Sequence, residues 1–316
     1  MTNEQWQQII SDWLAEPVEI SGVDELRDWS QSRVLRITVK TNRDQRIIYA
    51  KQSRSEHATE ATIYQLAGQV KGFPAPKAKN TVINGEEWLL IEEAAGEQLA
   101  RCREISRYRD AVIGLAAFHQ QSLDEQWLDH LSGLDSVVQR LNELSQTAIS
   151  AVQACATKGI FTEVDHALAN QVQTHLATSW QSICAELASF PVSLIHGDSH
   201  SGNIFTSGQA IQFVDWGSAA RAPGMIDLVG LLDVAARMRN EIGSHDELKE
   251  IYWAQLSPEA RRHYGSLGRA YRILQICRSL LELDWFSRTT DDYGRRSNRE
   301  LQIIADALAA LEYTQA

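Results

Sequence analysis

Leu194-Ile195-His196-Gly197-Asp198-Ser199-His200-Ser201-Gly202-Asn203-Ile204-Phe205-Thr206-Ser207-Gly208-Gln209-Ala210-Ile211-Gln212-Phe213-Val214-Asp215-Trp216-Gly217 is the stretch that decides how the rest of the chain is read. An apolar run enters a tight polar loop, and the loop feeds a hairpin that turns at Ser207-Gly208. Because a hairpin folds back on itself, Asn203 at its start and Asp215 at its end are expected in the same region. Asp198 belongs to the loop just before. Two carboxylates and an amide oxygen suit a hard divalent cation, with one carboxylate left for proton transfer. Taken singly, each of the three is a turn residue or the cap of a bend. Together, ringed by Gly197, Gly202 and Gly217, they point to a site.

Outward from this island the chain changes character on either side. Residues from about 104 to 190 give helical periods, as in Ala111, Leu115 and Phe118 and again in Leu134, Val137, Leu141 and Leu144. Residues 226 to 313 do the same, through Leu228, Leu231 and Leu232 and later Leu301, Ile304 and Leu308. The first hundred residues instead alternate. Leu35, Ile37 and Val39 interleave with Arg36, Thr38 and Lys40, the period of a half-buried strand. A second strand is expected at Ile47 to Lys51, and Thr81 to Ile83 with Glu86 to Ile91 flank the hairpin signal Asn84-Gly85. Ser55 to Gly68 reads as a helix between them. The expected class is α+β: a small antiparallel sheet over residues 1–95 and a larger helical part over 96–316.

Composition narrows the partners. The chain has 316 residues, with Lys plus Arg 30 against Asp plus Glu 41, a formal charge of −11. That balance argues against nucleic acid as a partner, since such binding neutralises phosphates with a basic face. No run of about 18 apolar residues is present to span a bilayer. The opening MTNEQWQQIISDWL lacks the basic and apolar segments of a signal peptide. Cys102, Cys155, Cys184 and Cys277 lie far apart with no Cys-x-x-Cys pair, so structural zinc and a disulfide framework are not expected, with two disulfides the lesser alternative. A cytoplasmic protein is the expectation.

His196-Gly197-Asp198, four residues, Asn203, an apolar strand and Asp215-Trp216-Gly217 together resemble the aminoglycoside phosphotransferase and choline kinase-like family of protein-kinase-like small-molecule kinases. Met225-Ile226-Asp227-Leu228 is similar to the segment after that family's metal-binding Asp. Leu89 to Leu99, through Glu92-Glu93-Ala94-Ala95-Gly96, resembles its linker between lobes, and Leu115-Ala116-Ala117-Phe118-His119 its Leu-Ala-x-Leu-His helix. The resemblance implies a bilobal fold and a transferase that moves the γ-phosphate of ATP or GTP, with Mg²⁺, to a hydroxyl of a small molecule: an aminoglycoside, amino alcohol, sugar-like compound or related metabolite.

It also implies roles, residue by residue. Lys51 would grip the nucleotide phosphates and Glu60, preferred over Glu56 on the same helix face, would hold it. Asp198 would be the catalytic base, Asn203 and Asp215 metal ligands, and the backbone of Glu92 and Ala94 the adenine contacts. His196 and Asp227 read as supports of the loop. The Gly-x-Gly-x-x-Gly cover over the phosphates is absent. The turn Asp28 to Arg33 stands there instead, and Ser30 and Ser32 either give amides to phosphate or simply close a hairpin. Near the C-terminal end, Glu282, Asp284 and Trp285 could receive a cationic acceptor by charge and cation–π contact, or else Leu281 and Trp285 pack inward and the acids face water.

Competing readings fall on missing strings. A binuclear metallophosphoesterase needs Gly-Asn-His and Gly-His-x-His, and a P-loop kinase needs Gly-x-x-x-x-Gly-Lys-Ser/Thr; none of these occurs. Ala-Pro-Glu, expected of a protein kinase, is missing too. The alternative from another class is a nucleotide-binding pseudokinase acting through partners. Its hallmark, loss of the base, lysine or metal Asp, is not seen.

Overall fold

The computed structural model describes residues 2–29, 32–53, 59–70, 72–123, 136–207, 210–235 and 245–312. It divides into two compact units. One combines Met1–Arg103 with Ser201–Ala219, the other Glu104–His200 with Ala220–Ala316. The Ser201–Ala219 hairpin thus belongs to the sheet unit, although the chain reaches it only after the first group of helices.

In the first unit, helix α1 (Asn3–Leu14) precedes strands β1 (Glu19–Asp28), β2 (Ser32–Lys40) and β3 (Gln45–Ser53). Helix α2 (Thr59–Ala67) leads to β4 (Ala78–Ile83) and β5 (Glu86–Glu92). The five strands pair antiparallel in the order β1-β2-β3-β5-β4. Alternation in β2 works as its sequence suggests: Leu35, Ile37 and Val39 are buried, and the residues between them are not. The β4–β5 turn places Asn84 at φ 54 and Gly85 at φ 84, the left-handed pair that a tight hairpin requires.

Helix α1 is an addition to the expected pattern of strands and one helix. Its start is fixed by a capping box in which Thr2 Oγ1 accepts from the Gln5 amide and Gln5 Oε1 from the Thr2 amide. Trp6 and Ile10, one turn apart, then drop into the core made by Leu35, Ile37, Val39, Ile48, Ala50 and Leu90. Trp6 meets Trp88 edge-on with ring centroids 5.4 Å apart. Ile9, Trp13 and Leu14 pack against the same core, so the apolar residues of this helix fall at helical spacing on one face, a pattern that the polar residues between them mask in the sequence.

A short second sheet completes this unit: β6 (Glu97–Gln98), β8 (Ile204–Ser207) and β9 (Ala210–Phe213) pair in the order β6-β8-β9. Gly96 enters it at φ 94, where a Cβ would lie 2.1 Å from the Thr206 carbonyl oxygen, so only glycine fits.

The second unit is helical. Its helices are α3 (Ile105–Gln121), α4 (Val137–Thr157), α5 (His166–Leu187), α6 (Met225–Ala235), α7 (His245–Gln255), α8 (Pro258–Tyr264), α9 (Leu267–Ser287) and α10 (Gly294–Glu312). Strands β7 (Val192–Ile195) and β10 (Ala220–Pro223) pair antiparallel between them. The periodic residues Ala111, Leu115, Phe118, Val137, Leu141, Leu144, Leu228, Leu231, Leu232, Leu301, Ile304 and Leu308 are all buried. Leu134 lies outside the described residues. Cys102, Cys155, Cys184 and Cys277 are free thiols. Among the described residues no helix is long and apolar enough to cross a membrane.

Candidate active site

In the sheet unit, Lys51 stands on β3, in register with Val34 of β2 and Leu89 of β5. Its Nζ lies 2.6 Å from Glu60 Oε2 and 2.6 Å from Asp215 Oδ1. Glu60, second in α2, is 5% exposed, so this carboxylate has an ammonium as partner where burial would otherwise penalise its charge. Burial would pull the Lys51 ammonium toward neutrality, but the charges of Glu60 and Asp215 outweigh it and hold its pKa above the usual lysine value. The side chain of Asp215 remains 42% exposed. Glu56 and Ser30 lie outside the described residues.

The backbone around Asp215 is built for one conformation. Asp215 sits at φ 65 and opens a 3₁₀ turn, Trp216–Ser218. Trp216 anchors that turn. It is fully buried, donates Nε1–H to the Phe213 carbonyl at 3.0 Å, and meets the Phe73 ring at 5.1 Å. The Val214 amide donates to the Asn203 carbonyl at 3.0 Å, so the two ends of the β8–β9 hairpin are tied together. Asn203 is 8% exposed. Gln98 Nε2 donates to the Gly202 carbonyl at 2.6 Å, and the Ala95 amide to Gln212 Oε1 at 2.7 Å, which fastens the segment after β5 to the hairpin. The structure brings Lys51, Glu60 and Asp215 into direct contact.

Other residues singled out in this unit have plainer surroundings. Glu92 ends β5 and gives its amide to the Lys77 carbonyl at 2.9 Å, while Ala94 follows it in the half-buried segment leading to Gly96. Ser32 is buried at the start of β2, and its carbonyl accepts from the Trp29 amide at 2.9 Å, which closes the β1–β2 turn.

In the helical unit, β7 delivers His196, Gly197 and Asp198. Asp227, at the start of α6, takes the His196 amide on Oδ2 at 2.6 Å and the Gly197 amide on Oδ1 at 2.9 Å. His119 Nε2 lies 3.2 Å from Asp227 Oδ2, and its Nδ1 lies 2.8 Å from the Tyr252 hydroxyl. Burial alone would raise the Asp227 pKa. The His119 hydrogen bond, the charges of His119 and His196 and the His196 amide outweigh it and hold the carboxyl below its usual value. Asp198 itself is 39% exposed and gives its amide to His196 Nδ1 at 3.2 Å. Arg278 of α9, which sequence reasoning passed over, donates Nη1–H to the Gly197 carbonyl at 2.9 Å.

Glu282, Asp284 and Trp285 share α9 but not one environment. Glu282 is ion-paired with Arg278. Asp284 is 7% exposed, with Oδ2 2.5 Å from Arg140 Nη2 and Oδ1 2.9 Å from Arg288 Nη2. It is therefore built into the helical core, with both oxygens engaged. Trp285 is 51% exposed and meets Tyr293 edge-on at 5.4 Å.

Comparison with known proteins places this architecture. Among curated sequences no protein matches the chain. Among solved structures, choline kinase from Cryptosporidium parvum Iowa II superposes with a TM-score of 0.66 at 10% identity, over 99% of this chain and 97% of its own. Choline kinase LicA from Streptococcus pneumoniae gives 0.56 at 15% identity, over 97% and 98%. The ADP-bound aminoglycoside phosphotransferase APH(2'')-Ib gives 0.56 at 12%, over 98% and 97%. A small antiparallel sheet with a helical part is thus the fold of choline and aminoglycoside kinases. The sequence profile of the Phosphotransferase enzyme family matches residues 25–256, and the chain belongs to that family.

Proposed function

We propose that this phosphotransferase moves the γ-phosphate of a nucleoside triphosphate, ATP or GTP, to a hydroxyl of a small molecule, with Asp198 taking the hydroxyl proton. The observation that carries the reading is Lys51 Nζ held 2.6 Å from both Glu60 and Asp215. A part-buried ammonium fixed by two carboxylates is suited to gripping phosphate. One solved relative holds ADP. In this reading residues 1–95, with the hairpin, serve the nucleotide, and 96–316 serve the acceptor. Glu92 and Ala94 would offer backbone to the base, and the amides of Ser30 and Ser32 would meet the phosphates.

The donor chemistry fits magnesium. Asp215 has an exposed carboxylate, Asn203 an amide oxygen, and the Val214–Asn203 hydrogen bond keeps their backbones together. Among the described residues no cluster of three His, Cys, Asp or Glu could cage a metal alone. One carboxylate and one amide leave most of the coordination shell to phosphates and water, as magnesium prefers. Bound there, the ion would neutralise phosphate charge. Lys51 would orient the phosphates, Glu60 would fix Lys51, and Asp198 would orient and deprotonate the hydroxyl.

The acceptor, on this reading, is a small hydroxyl compound. The related structures are named for choline and aminoglycosides, both cationic. A cationic acceptor would find the exposed face of Trp285, with Glu282 on the same helix, whereas Asp284 could act only by holding Arg140 and Arg288. The four scattered cysteines, with no Cys-x-x-Cys pair, suit a reducing cytoplasm. The alternative of a pseudokinase acting through partners draws no support, since the lysine, base and metal carboxylate are all retained.

Screening MgATP and MgGTP against choline, ethanolamine and pooled aminoglycosides tests the reading. Asp198→Ala is expected to lower turnover by roughly 10²–10⁴-fold while nucleotide still binds. Unchanged turnover in that variant would remove Asp198 as the base.

A further inference from the structure

Arg278 is a heavily engaged cation of the helical unit that the mechanism above does not use. It lies on α9 with its side chain 17% exposed and its guanidinium turned toward the His196–Asp198 loop. Nη1 donates to the Gly197 carbonyl at 2.9 Å, and Nη2 lies 3.9 Å from Asp198 Oδ1. The same Nη2 is ion-paired with Glu282, one turn further along α9. The peptide it touches is held from both ends: the Gly197 amide is bonded to Asp227 at 2.9 Å, and the Gly197 carbonyl to Arg278. Gly197 itself stands at φ 79. Gly230 of α6 stands beside this group, where a Cβ would crowd Ser199 Oγ at 3.1 Å and meet Arg278 Nε in ordinary contact at 3.7 Å.

We propose that Arg278, braced by Glu282, is a positioning residue for phosphoryl transfer: it fixes the Gly197 carbonyl and the Asp198 carboxylate so that Asp198 meets the acceptor hydroxyl in one orientation. This rests on Asp198 being the base. The separations support the division of labour. The Gly197 contact is a hydrogen bond, whereas 3.9 Å to Asp198 is charge contact without one. A guanidinium clamped on both Asp198 oxygens would consume the lone pairs that must receive the proton. Glu282 prevents this by occupying Nη2, so Arg278 orients Asp198 without capturing it. His200 Nε2 lies 3.7 Å from the other carboxylate oxygen, Asp198 Oδ2. Lysine would supply charge but not the fork that reaches the carbonyl, Asp198 and Glu282 together.

The test uses the full-length protein with MgATP, with water, choline, ethanolamine and pooled aminoglycosides as the acceptor probes, and reads kcat and the KM for MgATP. The variants are Arg278→Met, Arg278→Lys, Asp198→Asn and the double variant Asp198→Asn/Arg278→Met, each checked for folding by its thermal midpoint. Misplacing a reacting group by about 1 Å costs about 10²-fold, so Arg278→Met should lower kcat by about that factor with KM for MgATP unchanged. Arg278→Lys should recover part of the loss. The double variant should be no slower than Asp198→Asn alone, because Arg278 acts through Asp198. An impaired Asp198→Asn beside a wild-type kcat in Arg278→Met, or losses that add in the double variant, would overturn the inference and leave the base assignment standing. Wild-type turnover in Asp198→Asn would overturn the base reading and the inference with it, and no turnover by the wild-type protein with water, choline, ethanolamine or pooled aminoglycosides would overturn the phosphotransfer reading on which both rest. Should Arg278→Met not fold, Arg278→Lys carries the test, and a wild-type kcat there overturns the proposal.

Discussion

Asp227 shows how a single buried side chain can hold a loop in place. It is 2% exposed, yet its oxygens accept two consecutive backbone amides and face His119. Its pKa lies below the usual 3.8, so the sign of its pH dependence follows. The folded state favours the carboxylate, which stabilises the protein above the unfolded value, and this contribution disappears as pH falls through the lowered folded value. Asp227→Asn should therefore flatten the acid limb of a stability-against-pH curve from urea unfolding. It should also cost about 1–3 kcal/mol at neutral pH for each amide left unsatisfied. An acid limb identical to wild type would show that another group controls it. At this scale the sequence is informative where short spacing does the work, as with the hairpin that returns Asp215 to Asn203, whereas the pairing of Lys51 with Glu60 follows from the family resemblance and not from spacing. The sequence is silent on Arg278, whose i, i+4 pairing with Glu282 looks like an ordinary surface pair. Only the approach of α9 to the Gly197 peptide, 81 residues away in sequence, gives that arginine its meaning.

Among elements, the hairpins were the most legible and the reasons differ. Asn84-Gly85 announces its turn by residue type alone, and the structure gives both residues positive φ. The β8–β9 hairpin was legible from its apolar strands, but its pairing with β6 was not, because two residues of strand carry no period. Helix α1 has a full stripe at helical spacing, Trp6, Ile9, Ile10, Trp13 and Leu14, that the polar residues between them mask, and α9 hides its split surfaces, since Glu282 and Asp284 read alike until one meets Arg278 and the other Arg140. The two turn glycines allow a controlled comparison. Gly85 has nothing within 4 Å of a built Cβ, so Gly85→Ala should cost only the left-handed backbone term, about 1–2 kcal/mol. Gly96 has the same sign of φ and also the Thr206 carbonyl at 2.1 Å. Gly96→Ala must shift β6 off β8, so its loss in denaturant unfolding should clearly exceed that of Gly85→Ala. Equal losses would mean that the close approach of Gly96 to Thr206 is unimportant for stability.

For the molecule as a whole, the consequence lies in how the chain is threaded. The sheet unit needs two separate segments, Met1–Arg103 and Ser201–Ala219. Composition and periodicity describe stretches of sequence, so they divide the chain at 95 and 96 and have no means of assigning a later hairpin to an earlier sheet. The bonds that make this assignment are specific: Ala95 N–H to Gln212, Phe213 N–H to the Pro74 carbonyl at 2.7 Å, and Lys51 to Asp215. A fragment Met1–Arg103 made alone would keep the five-stranded sheet and α1 but lose all three, and β6 would lose its neighbour. Trp216 would no longer cover Phe73, and Lys51 would keep only Glu60 as an anion. The fragment should therefore show faster amide exchange at Ala95 and Glu97 than the full chain. ATP should raise the thermal midpoint of the full chain and leave that of the fragment unmoved, because Asp215 and Asn203 are missing from it. A fragment with full-chain protection at Ala95, or stabilised by MgATP to the same extent, would show that the nucleotide grip is complete before the hairpin returns.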